Sequence, residues 1–139
     1  MRDEVRAALA IDESSTAAQR TIDITTTGRR SGQQRRIETW FYRDADEIYL
    51  SGRPGRRTRD WLTNLSAEPR FTFHLKNGVV ADLPAVATVI TDPAERRRVM
   101  ARFVDDFNRR NAGSGEPEAV LDDWVERSPL ARVSFPDAG

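Results

Sequence analysis

The sequence predicts an α+β fold: about six mostly antiparallel strands forming a split or small closed β-barrel, with helices packed outside it. Three observations carry this. Short alternating segments rich in β-branched and aromatic residues recur along the chain, separated by tight turns. The helical patterns do not alternate with the strands, so the βαβ rhythm of a doubly wound sheet is missing. A chain of 139 residues is one domain, and nothing in it reads as a repeat or a linker.

The elements follow in order. Asp3 to about Ser14 reads as a short helix, with Asp3 as cap and Val5, Ala8, Leu9 and Asp12 at helical spacing. Thr21–Thr27 alternates and is β-branched, so it is a strand. Gly28-Arg-Arg-Ser-Gly32 is a turn bracketed by glycine. Arg35–Arg43 is the next strand, with Ile37, Thr39 and Phe41 on one face and Trp40 and Tyr42 on the other. Asp44-Ala-Asp46 turns the chain into a third strand, Glu47–Gly52. Arg53–Thr58 is a loop marked by Pro-Gly, and a helix from Thr58 or Asp60 to about Ala67 buries Trp61, Leu62 and Leu65. Arg70–Lys76 is a strand, Asn77-Gly78 a hairpin turn, and Val79–Ile90 a long strand kinked near Pro84. Asp92-Pro93 opens a helix to about Arg110, burying Val99, Met100, Phe103, Val104 and Phe107. After a loop, Pro117–Arg127 is a helix and Leu130–Phe135 the last strand.

Composition narrows the chemistry. There is no cysteine and a single histidine, His74, which excludes disulfides, thiolate metal sites, cysteine nucleophiles and His-rich metal centres. No apolar run approaches the roughly 20 residues of a membrane helix, and Met1 to Arg6 lacks the apolar stretch of a secretory signal, so a cytoplasmic protein is expected. Net charge is zero, yet residues 28–59 hold nine arginines against four acids. Residues 77–139 carry a net −3. The basic segment is therefore where an anionic ligand is expected. Because 21 of the 22 basic residues are arginine, a GC-rich genome explains the choice of Arg over Lys, and arginine counts alone do not show phosphate recognition. A local patch on a neutral chain, without a nucleic-acid-binding motif, points away from DNA or RNA.

Two segments have the chemistry of a binding site. In Gly28–Gly32, a glycine-bracketed turn can aim successive backbone N–H groups at an oxyanion. Ser31 adds a hydroxyl, and Arg29, Arg30 and Arg35 add guanidinium forks suited to phosphate or carboxylate. The same turn also reads as a solvated hairpin, since it has neither a phosphate-loop nor a dinucleotide-binding pattern. In Ser51-Gly-Arg-Pro-Gly-Arg-Arg-Thr58, two glycines let a planar ligand approach the backbone, at a strand end that feeds the Trp61 helix. Trp40, Tyr42, Tyr49 and Trp61 divide between core and pocket, and no pattern selects Tyr42 or Tyr49 as a proton donor. Asp105-Asp106 and Asp122-Asp123 read as solvated helix faces, and His74 has no partner motif. No nucleophile–base pair emerges, so an enzyme built this way would leave the hard chemistry to a cofactor.

Three motifs carry a family resemblance. They are Thr25-Thr-Thr-Gly-Arg-Arg-Ser-Gly-Gln-Gln-Arg35, the aromatic hairpin Trp40–Leu50, and Trp61-Leu-Thr-Asn-Leu-Ser-Ala-Glu-Pro-Arg-Phe71. In this order and spacing, over about residues 20–90, the chain resembles the deazaflavin (coenzyme F420)-dependent nitroreductase and quinone reductase family. The resemblance implies a split β-barrel similar to FMN-binding flavoproteins, with F420 as cofactor. It places Arg29, Arg30, Ser31, Gly32 and Arg35 on the phosphate and oligoglutamate tail. Ser51, Gly52, Arg53, Pro54, Gly55, Arg56, Arg57 and Thr58, with Thr39 and Trp40, line the deazaflavin, and Trp61 braces the pocket. The expected reaction is hydride transfer to a small-molecule quinone, nitro or activated enone substrate. Two departures stand out: Glu38 where the family often has proline, a carboxylate able to repel an anionic cofactor or to pair with Arg36, and an unusually basic 53–59 loop. Other readings are a split barrel holding FMN, or haem on His74 or a tyrosine, and a non-catalytic cofactor-binding module. Monomer and homodimer both remain open, because split barrels often pair across a strand face.

Overall fold

The computed structural model describes residues 1–136. Six strands close into a barrel: β1 (Thr21–Thr27), β2 (Gln34–Asp44), β3 (Glu47–Ser51), β4 (Arg70–Leu75), β5 (Ala81–Val89) and β6 (Leu130–Ser134). Their order around the barrel is β1-β2-β3-β6-β5-β4, and every neighbouring pair is antiparallel. Five helices surround it: α1 (Asp3–Leu9), α2 (Ala17–Arg20), α3 (Asp60–Ala67), α4 (Pro93–Arg110) and α5 (Leu121–Arg127).

Alternation along the strands sorts side chains between two cores. Ile22, Ile24, Phe41, Leu50, Phe71 and Phe73 point inward and fill the barrel. Val5 and Leu9 of α1, and Trp61 and Leu65 of α3, join the same cluster. On the outside, Tyr49, with Trp40 and Tyr42 packed alongside, meets Val99, Met100, Phe103 and Phe107 of α4 and Trp124 of α5. The two-faced reading of β2 thus holds, with both faces covered.

Several boundaries differ from expectation, each for a local reason. Helix α1 stops at Leu9, and Arg2, not Asp3, is its N-cap. The Asp12 carboxylate accepts the Ser14 N–H at 2.8 Å and Ser15 Oγ accepts the Asp12 N–H at 2.9 Å, so side chains take bonds a helix would need. The unexpected α2 starts at a capping box: Thr16 Oγ1 accepts from the Gln19 N–H, and the Gln19 side chain accepts from the Thr16 N–H. The last helix begins at Leu121 rather than Pro117, because Asn108 of α4 clamps the Ala119 backbone through both its amide atoms. Strand β5 spans Ala81–Val89, within the expected 79–90. Pro84 sits opposite Thr72 in the part of β5 that β6 does not reach, so its missing N–H breaks no ladder bond on that edge.

Two polar readings are corrected. Asp106 is not on a solvated face: it is 4 % exposed and bonded by Arg20 Nη1 at 3.0 Å and Arg110 Nε at 3.1 Å. Asp106 lies on the inner side of α4, where the helix meets α2. His74 has partners that neighbouring strands supply: Nε2 lies 2.7 Å from Thr25 Oγ1 and Nδ1 2.6 Å from Asp82 Oδ1. That bond holds the Asp82 carboxyl below the usual range.

Candidate functional site: an open strand edge between two arginine loops

Strand register opens a cleft. β2 pairs with β1 over residues 34–40 but with β3 only from Trp40 onward, because β3 ends at Ser51 opposite Trp40. Residues 34–39 therefore have a strand neighbour on one side only. Past Ser51 the chain swings away as the 52–59 loop and returns as α3. The space between is a cleft of about 240 Å³ lined by Glu38, Thr39, Trp40, Ser51, Gly52, Arg53, Arg59, Trp61 and Pro129.

Local bonds fix this mouth. Ser51 Oγ donates to the Pro129 carbonyl at 2.8 Å, tying the end of β3 to the start of β6. Thr39 Oγ1 donates to the Ser51 carbonyl at 3.3 Å across the seam. Trp61 packs into the barrel core with its edge toward the cleft. Arg53 stacks over Trp40 and Phe107, at 5.5 and 5.2 Å to the ring centroids, and pairs with Glu116 at 2.7 Å. Trp40 and Arg53 also line a second cavity of about 140 Å³, whose walls include Phe103 and Phe107.

Arg59 was not singled out in the sequence, and its geometry is distinctive. Its guanidinium folds back under the loop and donates through Nη2 to the Arg53 carbonyl, while Nη1 is buried without a partner. Gly55 makes the room: a Cβ there would lie 2.7 Å from Nη1. Burial pulls the Arg59 guanidinium below its ordinary range. Its sequence signals were membership of the basic 53–59 loop and its place beside Asp60, where the loop enters α3.

The Gly28–Gly32 turn lies beside α3. Asn64 Oδ1 accepts the Arg29 N–H at 3.1 Å, Gly28 donates to the Gln33 carbonyl at 2.8 Å, and Gly32 donates to the Gly28 carbonyl at 2.9 Å. Three of the turn's five amides are thus bonded within the protein, so the expected nest narrows to the successive N–H groups of Arg30 and Ser31. Ser31 Oγ turns inward to accept the Gln33 N–H at 3.1 Å. Gly32 serves the backbone, in the left-handed region at φ +70°. The guanidiniums stay outside. Arg29, Arg30 and Arg35, with Arg56 and Arg57 on the other loop, have exposed side chains and no ion pair among the described residues. Arg36 instead pairs with Asp23 at 3.0 Å. Glu38 pairs with Lys76 rather than Arg36, which corrects the expected partner and neutralises the carboxylate at the cleft.

Neither tyrosine reaches the cleft. Tyr49 lies under α4, and Tyr42 stacks edge-on to Phe103 at 4.8 Å. Burial pushes the Tyr42 phenol up to about 12 and shifts Tyr49 upward as well.

An open strand edge, a glycine loop with an unpartnered guanidinium N–H beneath it, and five arginines without ion pairs, four on flanking loops and Arg35 on β2, fit a planar ring that carries an anionic tail. With the closed antiparallel barrel they define a split-barrel cofactor-binding protein. A family model described as F420H(2)-dependent quinone reductase matches residues 6–116, and the chain belongs to that family. It is an F420-dependent reductase. No curated protein matches it. Among solved structures, an F420-H2 dependent reductase is similar at 15 % identity, with 83 % of this chain and 94 % of that one covered and a TM-score of 0.51. A conserved hypothetical protein of Mycobacterium tuberculosis is similar at 21 % identity, covering 98 % and 81 %, with a TM-score of 0.63. A structure described as a domain-swapped dimer is similar at 14 % identity, covering 95 % and 92 %, with a TM-score of 0.55. At these identities the shared property is the fold.

Proposed function

We propose that this reductase passes a hydride to a planar, electron-poor acceptor, namely a quinone, a nitro compound or an activated enone. The observation that carries it is the cleft along residues 34–39 of β2, closed on one side by the glycine loop and flanked by unpaired arginines. Arg29, Arg30 and Arg35 hold the phosphate and tail, with the Ser31 O–H as a further donor. Ser51, Gly52 and Arg53, with Thr39 and Trp40, bound the ring, while Gly55, Arg56, Arg57 and Thr58, expected on it, face the cavity behind the loop. Bound F420 in its reduced form supplies the hydride.

The chain's own part is positioning and exclusion of water. Trp61 and Pro129 form an apolar floor, and Gly52 presents backbone where a side chain would stand. Trp40, Phe103 and Phe107 offer the acceptor an aromatic seat next to the cleft, with Arg53 between the two spaces. Arg53 is the cation placed to face negative charge developing on the acceptor oxygen. The buried tyrosines do not supply the proton, and Glu38 is held by Lys76, so solvent is its source.

Titration with F420 and, in parallel, FMN, followed by fluorescence quenching at moderate salt, tests the cleft. Micromolar or tighter F420 binding with weaker FMN is expected. Tight FMN binding without F420 binding would overturn it. Turnover of a quinone, a nitroaromatic and an enone then tests the acceptor class. No turnover of any, with F420 bound, would remove that assignment. The domain-swapped dimer among the similar structures supports a homodimer, which sedimentation at micromolar concentration tests; a monomer mass would remove it.

A further inference from the structure

Behind the 52–59 loop lies a cavity of about 380 Å³, separate from the cleft but sharing Arg59 and Pro129 with it. It is enclosed by the loop, Leu62 of α3, the end of β5, the start of α4 and the end of α5. Its charge is one-sided: Arg56, Arg57, Arg59, Arg96 and Arg127 line it against the single acid Glu126. Arg127 already pairs with Asp123.

Two of these cations are half-buried and have no carboxylate partner among the described residues. Arg96 donates only to the carbonyls of Ile90, Val125 and Ser128, at 3.1, 2.9 and 2.7 Å. Arg59 donates to the Arg53 carbonyl alone. Among the described residues just two buried side-chain atoms lack any hydrogen-bond partner, Arg59 Nη1 and Ser128 Oγ. Both residues line this cavity, and Ser128 is 4 % exposed. The loop is tied across it, since the Gly55 N–H donates to the Arg127 carbonyl at 3.2 Å. An unpartnered guanidinium N–H and an unpartnered hydroxyl, on two residues that line one basic cavity, suit an oxyanion, because a buried polar group without a partner is costly.

We propose that this cavity is a second anion site, taking a multiply charged carboxylate or phosphate through Arg59, Ser128 and Arg57. The anion is either a free metabolite-sized ion or the anionic arm of the ligand in the cleft, which Arg59 borders from the other side.

The test titrates the full chain, without cofactor, with citrate and with inorganic phosphate at constant ionic strength, reading heat and thermal midpoint. Saturable binding of at least one probe with a rise in midpoint is expected. Affinity should fall about tenfold or more in Ser128→Ala, the loss of one charge-assisted hydrogen bond. Arg59→Met should lose binding altogether, and Arg57→Gln, which removes an exposed ligand and leaves the buried groups in place, should weaken it severalfold. No saturable binding to the wild type, or equal binding by wild type and Ser128→Ala, would overturn the site. A final arm titrates F420 with and without saturating citrate. Competition in the wild type that is absent in Ser128→Ala assigns the site to the cofactor's anionic arm, and independent binding assigns it to a free anion. Because the first arm uses no cofactor, its result stands whether or not F420 occupies the cleft.

Discussion

The side-chain oxygen of Asn64 accepts the backbone N–H of Arg29 at 3.1 Å, joining α3 to the arginine turn 35 residues earlier. The Asn64 amide nitrogen also donates to Thr26 Oγ1 at 3.3 Å. One buried amide thus holds the start of the turn and the end of β1 against the helix that forms the other side of the cleft.

Asn64→Ala is expected to destabilise the protein by about 1–3 kcal/mol, since it strands a part-buried N–H and a buried hydroxyl. Urea unfolding reads this directly. F420 affinity should fall as well, because the turn carrying Arg29 and Arg30 loses its anchor. Ser66→Ala, on the exposed side of α3, is the control and should stay within about 0.5 kcal/mol. Equal stability for the two variants would show that the contact contributes nothing.

Replacing Arg30 and Arg35 together by alanine should weaken F420 binding by a few kcal/mol, as charge-assisted hydrogen bonds contribute about 1.5–3 kcal/mol each. The salt dependence of binding should flatten in the same variant, since exposed charges act through a screened field. Arg97→Ala, which breaks a surface pair with Asp122 on the far helices, should leave binding unchanged. Wild-type affinity in the double variant would remove these residues from the site.

Gly55→Ala should displace the Arg59 guanidinium from beneath the loop, because its Cβ would lie 2.7 Å from Arg59 Nη1. Gly52→Ala meets only ordinary contacts, at 3.6 Å or more, and should be sterically tolerated. The telling comparison is thermal stability: Gly55→Ala should lower the midpoint in a wild-type background and do so much less when Arg59 is methionine. A midpoint unaffected by Gly55→Ala would mean that the guanidinium moves aside freely.

Acid sensitivity should trace partly to Asp23. Its carboxyl is held below the usual range by hydrogen bonds from Lys76, at 2.8 Å, and then from Arg36, against the opposing effect of burial. A carboxylate with a folded-state pKa below its unfolded value contributes stability fully above about pH 4, and loses it as pH falls through the folded value. The difference in urea midpoint between wild type and Asp23→Asn should thus be constant from neutral pH to about pH 5 and shrink below it. A difference independent of pH down to pH 2 would contradict this.

The strands were legible almost to the residue, because alternation of Ile22 and Ile24 with Asp23 and Thr25 follows from the pleat alone. Asp92-Pro93 likewise marked the start of α4, where Asp92 caps the Glu95 N–H at 2.9 Å. The capping box at Thr16 and Gln19 was present in the sequence too, but on an element of four residues it made too faint a pattern. The partners of Asp106, His74 and Glu38 were not legible. Each is set by which strands and helices become neighbours, and Arg20 lies 86 residues from Asp106.

The sequence by itself determined the strand-rich barrel, the basic stretch and the glycine loops, since periodicity, turn chemistry and local charge are properties of neighbouring residues. Tertiary structure alone decided that β3 stops short of residues 34–39 of β2, so that a strand edge opens into a cleft. It also decided which arginines are neutralised and which stay free, and it left Arg59 Nη1 and Ser128 Oγ buried without partners, on residues that line one cavity. Those outcomes depend on register and chain crossing, which bring together residues that no local pattern links.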